Sequence, residues 1–278
     1  MKIHFLLQRR VPDGPSQIVL AVSRLLEERG FEIASTIAEE AVLRPERLGA
    51  EADLWILKSY TPLSLTLAGV LHANGAQIVN PYPASAAARN KILAAQVLDA
   101  AGIPAPCTWV TGDLSLVAPL AREMPLVVKP AQGWRGEGVR IVRGEAALLA
   151  LPPPEEPVLV QELVPGPGVD LRVYVAGDEV FATRKPFSTT SYSVAGEEVE
   201  VPPEVRDIAL RCGEAFGLGL FGLDVIESPR GPRVVDVNTF PGYKGIARAP
   251  AAVARYIETF AEGRFSTRAP VARAAEAR

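Results

Sequence analysis

Histidine, cysteine and lysine are scarce in this chain. Its 278 residues include only two histidines, His4 and His72, and two cysteines, Cys107 and Cys212. So few ligands take away the usual support for zinc chemistry. No HExxH, GxSxG or GxxxxGK[ST] pattern occurs either, so triad hydrolysis and P-loop chemistry lose theirs. The two thiols form neither a disulfide framework nor a CxxC knuckle. They read as buried thiols in a reducing cytosol, which points to the cytoplasm. No apolar run reaches the ~18 residues of a membrane span. The apolar part of "MKIHFLLQRR" is too short for a signal peptide. A net charge of −3 argues against nucleic acid or an anionic membrane as the main partner. Arginine outnumbers lysine 23 to 6, so a lysine in a suggestive place carries more weight than usual.

What is present is an α/β pattern with the composition of a soluble globular protein. Strands are expected at 2–7, 31–36, 53–59 and 76–80, with helices at 16–29 and 62–74. This alternation predicts a mostly parallel sheet in a first lobe, residues 1–85, closed by "NPYPAS" as a loop. A helix capped by Asn90, with an apolar stripe at 93, 97, 98 and 101, opens a second stretch, 86–164. There the short strands "TWV", "PLVVKP", "GVRIV" and "VLVQEL" are interrupted by a helix at 144–150. The last lobe, 165–265, has strands at 170–176, 179–185, 219–227 and 232–238 and helices at 203–216 and 250–262. The Ala/Arg-rich stretch 266–278 reads as a disordered tail.

Several stretches carry chemistry. "GLGLFG" (217–222) matches GxGxxG but follows a helix and opens a strand, the reverse of the dinucleotide fingerprint, so it reads as a tight turn. In "VVKPAQGWRGEGVRIV" (127–142) an apolar strand delivers Lys129, and a loop with Gly133, Gly136 and Gly138 follows. Glycines there let backbone N–H groups approach phosphate oxygens; the plainer reading is a flexible hairpin with a snorkelling lysine. Lys91 sits in the first turn of its helix, where the macrodipole disfavours a cation by roughly 0.3–1 kcal/mol; function or simple exposure would each explain it. Gln161 and Glu162 end an apolar strand, and Asp170 and Arg172 alternate beyond a Pro/Gly turn. That pattern suits nucleotide contacts or a strand-edge salt bridge. Asp224 lies twelve residues before Asp236, across the turn "SPRG". A hairpin there brings Asp224 close to Asp236 and Asn238, and two facing carboxylates repel unless a cation joins them. Three hard oxygen donors suit Mg²⁺.

Taken in order, Lys91, Lys129 with its glycine loop, Gln161-Glu162, Asp170-Leu171-Arg172, Asp224 and Asp236-Val237-Asn238 resemble the ATP-grasp superfamily, RimK type, over about residues 80–262. The resemblance implies an ATP-grasp fold. A Rossmann-like pre-ATP-grasp lobe (1–85) would precede a small lid subdomain (86–164) and a metal-binding subdomain (165–265), with ATP between the last two and the glycine loop as a lid. It implies Lys91 and Lys129 on the ATP phosphates. Gln161, Glu162 and the Val164 backbone would form the adenine hinge, with Asp170 near the ribose and Arg172 also in the nucleotide site. Asp224, Asp236 and Asn238 would hold one or two Mg²⁺, with Mn²⁺ as a substitute; Arg184 would face the γ-phosphate or the reaction centre and, with Lys129, be catalytic. Two features depart from the type: the metal motif begins with Asp236 where Glu is usual, and "KPFSTTSYSVAGEEVEV" lacks an expected Asn. "DVNTFPGYKG" with "RKPFS" resembles instead the inositol-phosphate kinase branch, for which Arg135, Arg184, Lys185, Lys244 and Arg248 would supply a basic pocket. The expectation is a carboxylate–amine ligase working through an acyl phosphate on a small-molecule or peptide acceptor. The alternative is a kinase phosphorylating a polyol hydroxyl. The oligomeric state stays open.

Overall fold

Residues 1–9, 16–133, 136–186 and 195–263 are described in the computed structural model; the expected tail, Arg135 and the middle of the segment after residue 186 lie outside them. The N-terminal alternation forms β1 (Lys2–Leu7), α1 (Gln17–Glu28), β2 (Glu32–Ile37), β3 (Leu54–Lys58), α2 (Pro62–Ala73) and β4 (Ile78–Val79). The four strands are parallel, in the order β2-β1-β3-β4. Both faces of β1 and β3 are covered, which is why these strands read as continuous apolar runs. Ile3, Phe5, Leu54 and Ile56 pack with Ile18, Val22 and Leu26 of α1, while Leu6, Trp55 and Leu57 pack with Leu67 and Leu71 of α2.

"NPYPAS" is not the expected loop. It opens α3 (Tyr82–Arg89), with Pro81 as its N-cap and Pro83 in the first turn, where a missing N–H costs nothing. α4 (Lys91–Ala100) follows at once, and the Asn90 side chain accepts from the N–H groups of Ile92 and Leu93 at 3.0 and 3.3 Å. Its buried face is Ala94 and Leu98; Leu93 of the expected stripe is half exposed.

The next sheet is antiparallel, in the order β5-β8-β6-β7. It comprises β5 (Thr108–Thr111), β6 (Leu126–Pro130), β7 (Arg140–Val142) and β8 (Val158–Glu162). Its outer face is covered by a short helical turn at Leu114–Val117 together with α5 (Ala118–Glu123) and α6 (Glu145–Leu149), around Leu126, Val128, Leu148 and Val160.

The third sheet runs β11-β10-β9-β12-β13. Its strands are β9 (Val169–Ala176), β10 (Glu179–Pro186), β11 (Glu197–Val199), β12 (Leu220–Ser228) and β13 (Gly231–Thr239), accompanied by α7 (Pro203–Phe216) and α8 (Ala249–Ala261). One face buries Leu171, Val173, Leu223 and Val225 against Ile208 and Phe216 of α7. The opposite face is apolar only at one end, where Tyr174, Phe181, Leu220 and Phe240 meet α8 and the first lobe. Its other end carries charge. α7 stops at Gly217, which is left-handed at φ 72°, so "GLGLFG" is a helix-ending turn.

Asn80 joins the first lobe to the third sheet. Fully buried, it donates to the Leu220 carbonyl at 2.7 Å and accepts from the Gly219 and Leu220 N–H groups at 3.0 Å each.

Candidate active site

The charged end of the third sheet is built by register. In β9, Asp170 and Arg172 point to one face and Leu171 to the other, as strand alternation requires. Asp224 of β12 lies opposite Arg172 on one side and opposite Asp236 of β13 on the other. A bulge between Asp224 and Val225 resets the pairing. Val234 and Val237, three apart, therefore both turn inward, and Asp236 and Asn238 share the open face with Asp224.

Cations answer these carboxylates. Arg172 Nη1 lies 2.9 Å from Asp224 Oδ1, and Lys91 Nζ lies 3.8 Å from Asp236 Oδ1. Burial raises the Asp224 carboxyl to about 6, Arg172 pulling it down and Asp236 pushing it further up. Burial also raises Asp170, against Arg172 and Lys185.

The second sheet brings its lysine to the same place. Lys129 Nζ donates to the Val235 carbonyl of β13 at 3.1 Å. Burial lowers its pKa; Asp236 and Asp224 oppose that shift, and Lys91 adds to it. Lys91 ties three elements together. Its N–H donates to the Ala131 carbonyl at 2.9 Å, and its Nζ donates to Gly133 at 3.1 Å while facing Asp236. Gly136 and Gly138 have φ of 75° and 73°, a region L side chains rarely enter.

At the sheet junction the Gln161 side chain is buried. Its Nε2 donates to Thr108 Oγ1 at 3.0 Å, and its Oε1 has no partner. Glu162 accepts from the Cys107 N–H and from Arg230, both at 3.2 Å, and Val164 is buried.

Arg184 is the expected residue that the structure does not bring here. Paired with Leu171, it stands on the opposite face of the sheet and forms a bidentate ion pair with Glu227 at 2.7 and 3.1 Å. Lys185, one position on, lies opposite Asp170 on the charged face. Burial and then Arg172 push Lys185 down to about 8; Asp224 and Asp170 oppose the shift, and Lys244 adds to it. Arg248 of the suggested basic pocket lies outward, 3.6 Å from Glu198 and over the Phe181 ring.

Cys107, expected to be a buried thiol, is exposed, while Cys212 is buried. Sequence reasoning gave the first lobe a part in the acceptor site but named no residue in it. Tyr60 Oη donates to the carbonyl of Thr239, next to Asn238, and Arg89 donates to the Tyr60 carbonyl. "TFPGYKG" after β13 holds Phe240 and Tyr243 at φ 34° and 49°, both rings buried, and Tyr243 Oη bonds the Val175 carbonyl at 2.5 Å. Left-handed aromatic residues are outliers that persist only where packing over-determines them.

Asp224, Asp236 and Asn238 offer hard oxygens from adjoining strands on one open face. That donor set fits Mg²⁺, which takes few protein ligands and completes its shell with water and phosphate. Among the described residues no group of three or more His, Cys, Asp or Glu is placed to hold a metal ion, here or elsewhere; this set is two Asp and one Asn.

A carboxylate-bearing sheet facing a smaller antiparallel sheet that carries a lysine and a glycine loop is the arrangement of an ATP-grasp enzyme. Residues 88–256 match the model of the RimK-like ATP-grasp domain, and the chain belongs to that family. It is 31% identical over 207 residues to a probable alpha-L-glutamate ligase of Shewanella sp. strain MR-4, covering 67% of this chain and 69% of that protein. It is 31% identical over 189 residues to the ribosomal protein bS6–L-glutamate ligase of Shigella flexneri, covering 63% of each. Its fold superposes on a RimK-domain ATP-grasp protein of Sphaerobacter thermophilus with a TM-score of 0.74 at 23% identity, covering 95% of this chain and 100% of that one. The expected ATP-grasp fold and ligase class hold. The kinase alternative, raised by "FPGYKG", gives way to ligation.

Proposed function

We propose that the protein joins a carboxylate to an amine by way of an acyl phosphate, with ATP between the second and third sheets. The observation that carries this is the convergence of Lys91 and Lys129, from two different elements, on Asp236 and its strand. In this reading Lys91 and Lys129 hold the phosphates, and Gly133, Gly136 and Gly138 let backbone N–H groups approach them. The unpartnered Gln161 Oε1 is an acceptor at the junction, suited to an adenine amino group. Asp170 and Arg172 line the nucleotide site. Asp224, Asp236 and Asn238 hold Mg²⁺, which when bound neutralises phosphate charge.

The acceptor carboxylate attacks the γ-phosphorus in line and ADP leaves. Lys185, rather than Arg184, is the cation placed to stabilise charge on the transferring group. The amine then attacks the acyl carbon and phosphate departs, with the lid excluding water. The division into an N-terminal lobe, a lid (86–164) and a metal-binding unit (165–265) belongs to the same proposal. Glutamate is the amine substrate suggested by the names of the relatives, and the acceptor is a protein, a peptide or a smaller carboxylate.

The test is ATP turnover with candidate acceptors and hydroxylamine as the amine. Hydroxamate with stoichiometric free phosphate is expected. A phosphorylated acceptor without free phosphate would return the protein to the kinases.

A further inference from the structure

Lysine is rare here, yet its positions are not scattered. Of six lysines only Lys2 lies away from the cleft. Lys91 and Lys129 face Asp236 and its strand, and Lys185 stands beside Asp170 with Lys244 near it. These four are on the nucleotide side or in the turn after β13. The remaining one, Lys58, comes from the first lobe and lies outside the residues that match the family model.

Lys58 ends β3, at the C-terminal edge of a parallel sheet, where open α/β folds bind ligands. Its Nζ sits 5.4 Å from the Tyr60 ring centre and 5.3 Å from that of Phe240, across the line where the first lobe meets the turn after the metal strand. Tyr60 is fastened there through its hydroxyl to Thr239 and through its own carbonyl to Arg89. Arg89 brings a second cation to this corner. Among the described residues no carboxylate pairs with it, and its Nη1 is buried without a hydrogen-bond partner. Two cations and a braced phenol thus gather at the end of the strand that carries Asp236 and Asn238.

We propose that Lys58 and Arg89, braced by Tyr60, form a subsite for a carboxylate of the amine substrate that the reaction does not consume. The ligand class is an acidic amino acid bound with its amine directed toward the acyl phosphate. This rests on the ligase reading. The corner supplies charge for recognition and takes no part in the bond changes. Discrimination follows from charge: a neutral amide is a poorer partner for two cations than a carboxylate.

The experiment is calorimetric titration of the full chain, saturated with ADP and Mg²⁺, using L-glutamate, L-glutamine and L-isoglutamine. Glutamate is expected to bind, and one of the two amides at least tenfold more weakly. Lys58→Met should erase that difference without changing ADP affinity, and Lys58→Arg should restore it. The subsite is overturned if wild type binds no glutamate, or if Lys58→Met discriminates as wild type does. Hydroxamate formation is measured on the same preparations. Hydroxamate without Lys58-dependent discrimination leaves the ligase reading standing and removes the subsite. Discrimination without hydroxamate leaves Lys58 as an anion-binding group and removes the ligase reading, and with it the amine-substrate role.

Discussion

Arg184 and Lys185 are neighbours whose side chains have opposite fates. "TRKP" offers a cation at either parity, and only the pairing of β10 with β9 decides which one faces Asp170. Lys185→Met should therefore lower kcat by about 10²–10³, the scale on which one preorganised cation acts. Arg184→Ala removes an exposed ion pair worth at most about 1 kcal/mol and should leave kcat within about threefold. Steady-state kinetics of both variants checks the assignment. Lys185 also fixes a pH dependence. With its folded pKa near 8, it is charged below that pH and neutral above it, so kcat/KM should fall as pH rises through about 8. In Lys185→Arg this alkaline limb should move beyond the measurable range. The stability effect has the opposite sense. The unfolded chain keeps this proton up to the ordinary 10.5, so Lys185 adds stability as pH rises between about 8 and 10.5 and loses it on the way back down. Lys129 and the carboxylates were legible because each interrupts an apolar pattern, and Lys91 because it stands at the end of a helix that disfavours a cation. Tyr60 and Arg89 were not, since an aromatic after a strand and an arginine at a helix end are ordinary in sequence.

At the scale of elements, the β12–β13 hairpin concentrates the charged side chains through a single bulge. Asp236→Ala should abolish turnover while circular dichroism and the unfolding transition stay near wild type, because its side chain is partly exposed and makes no core contact. Activity persisting at saturating Mg²⁺ would remove the metal assignment. Hairpin, turn and charged pair were all readable from "LDVIESPRGPRVVDVN", where alternation and a Pro-Arg-Gly turn agree. α3 was hidden because Pro81 and Pro83 signal a break wherever they occur, and only the structure puts them at a helix start. β11 is three residues, two of them Glu, and gives no alternation to detect. α4 begins where Asn90 predicts, but its buried face is set by α3 and α7 rather than by its most apolar stripe.

For the molecule as a whole, the junction at Asn80 decides how the first lobe and the third sheet act together. Three buried hydrogen bonds from one carboxamide fix the start of β12 to the end of the parallel sheet. Asn80→Ala leaves the Gly219 and Leu220 N–H groups without partners, while the Leu220 carbonyl keeps the Phe240 N–H at 2.7 Å; it should cost about 2–4 kcal/mol, measured by urea unfolding. Gly219 is part of the same joint: a Cβ there would meet Tyr256 Oη at 1.8 Å. The order of the three sheets could be read from the sequence, because strand spacing and hydrophobic period change from one to the next. Their mutual contact could not, since Asn80 acts on backbone groups 139 and 140 residues away.

The clustering of lysines has a practical side. In a chain with six of them, five on or beside the proposed nucleotide and amine sites, amine-reactive labelling followed by mass spectrometry should report the occupancy of those sites. Each ligand would leave its own footprint in reagent uptake, with Lys2 as an internal reference outside the cleft.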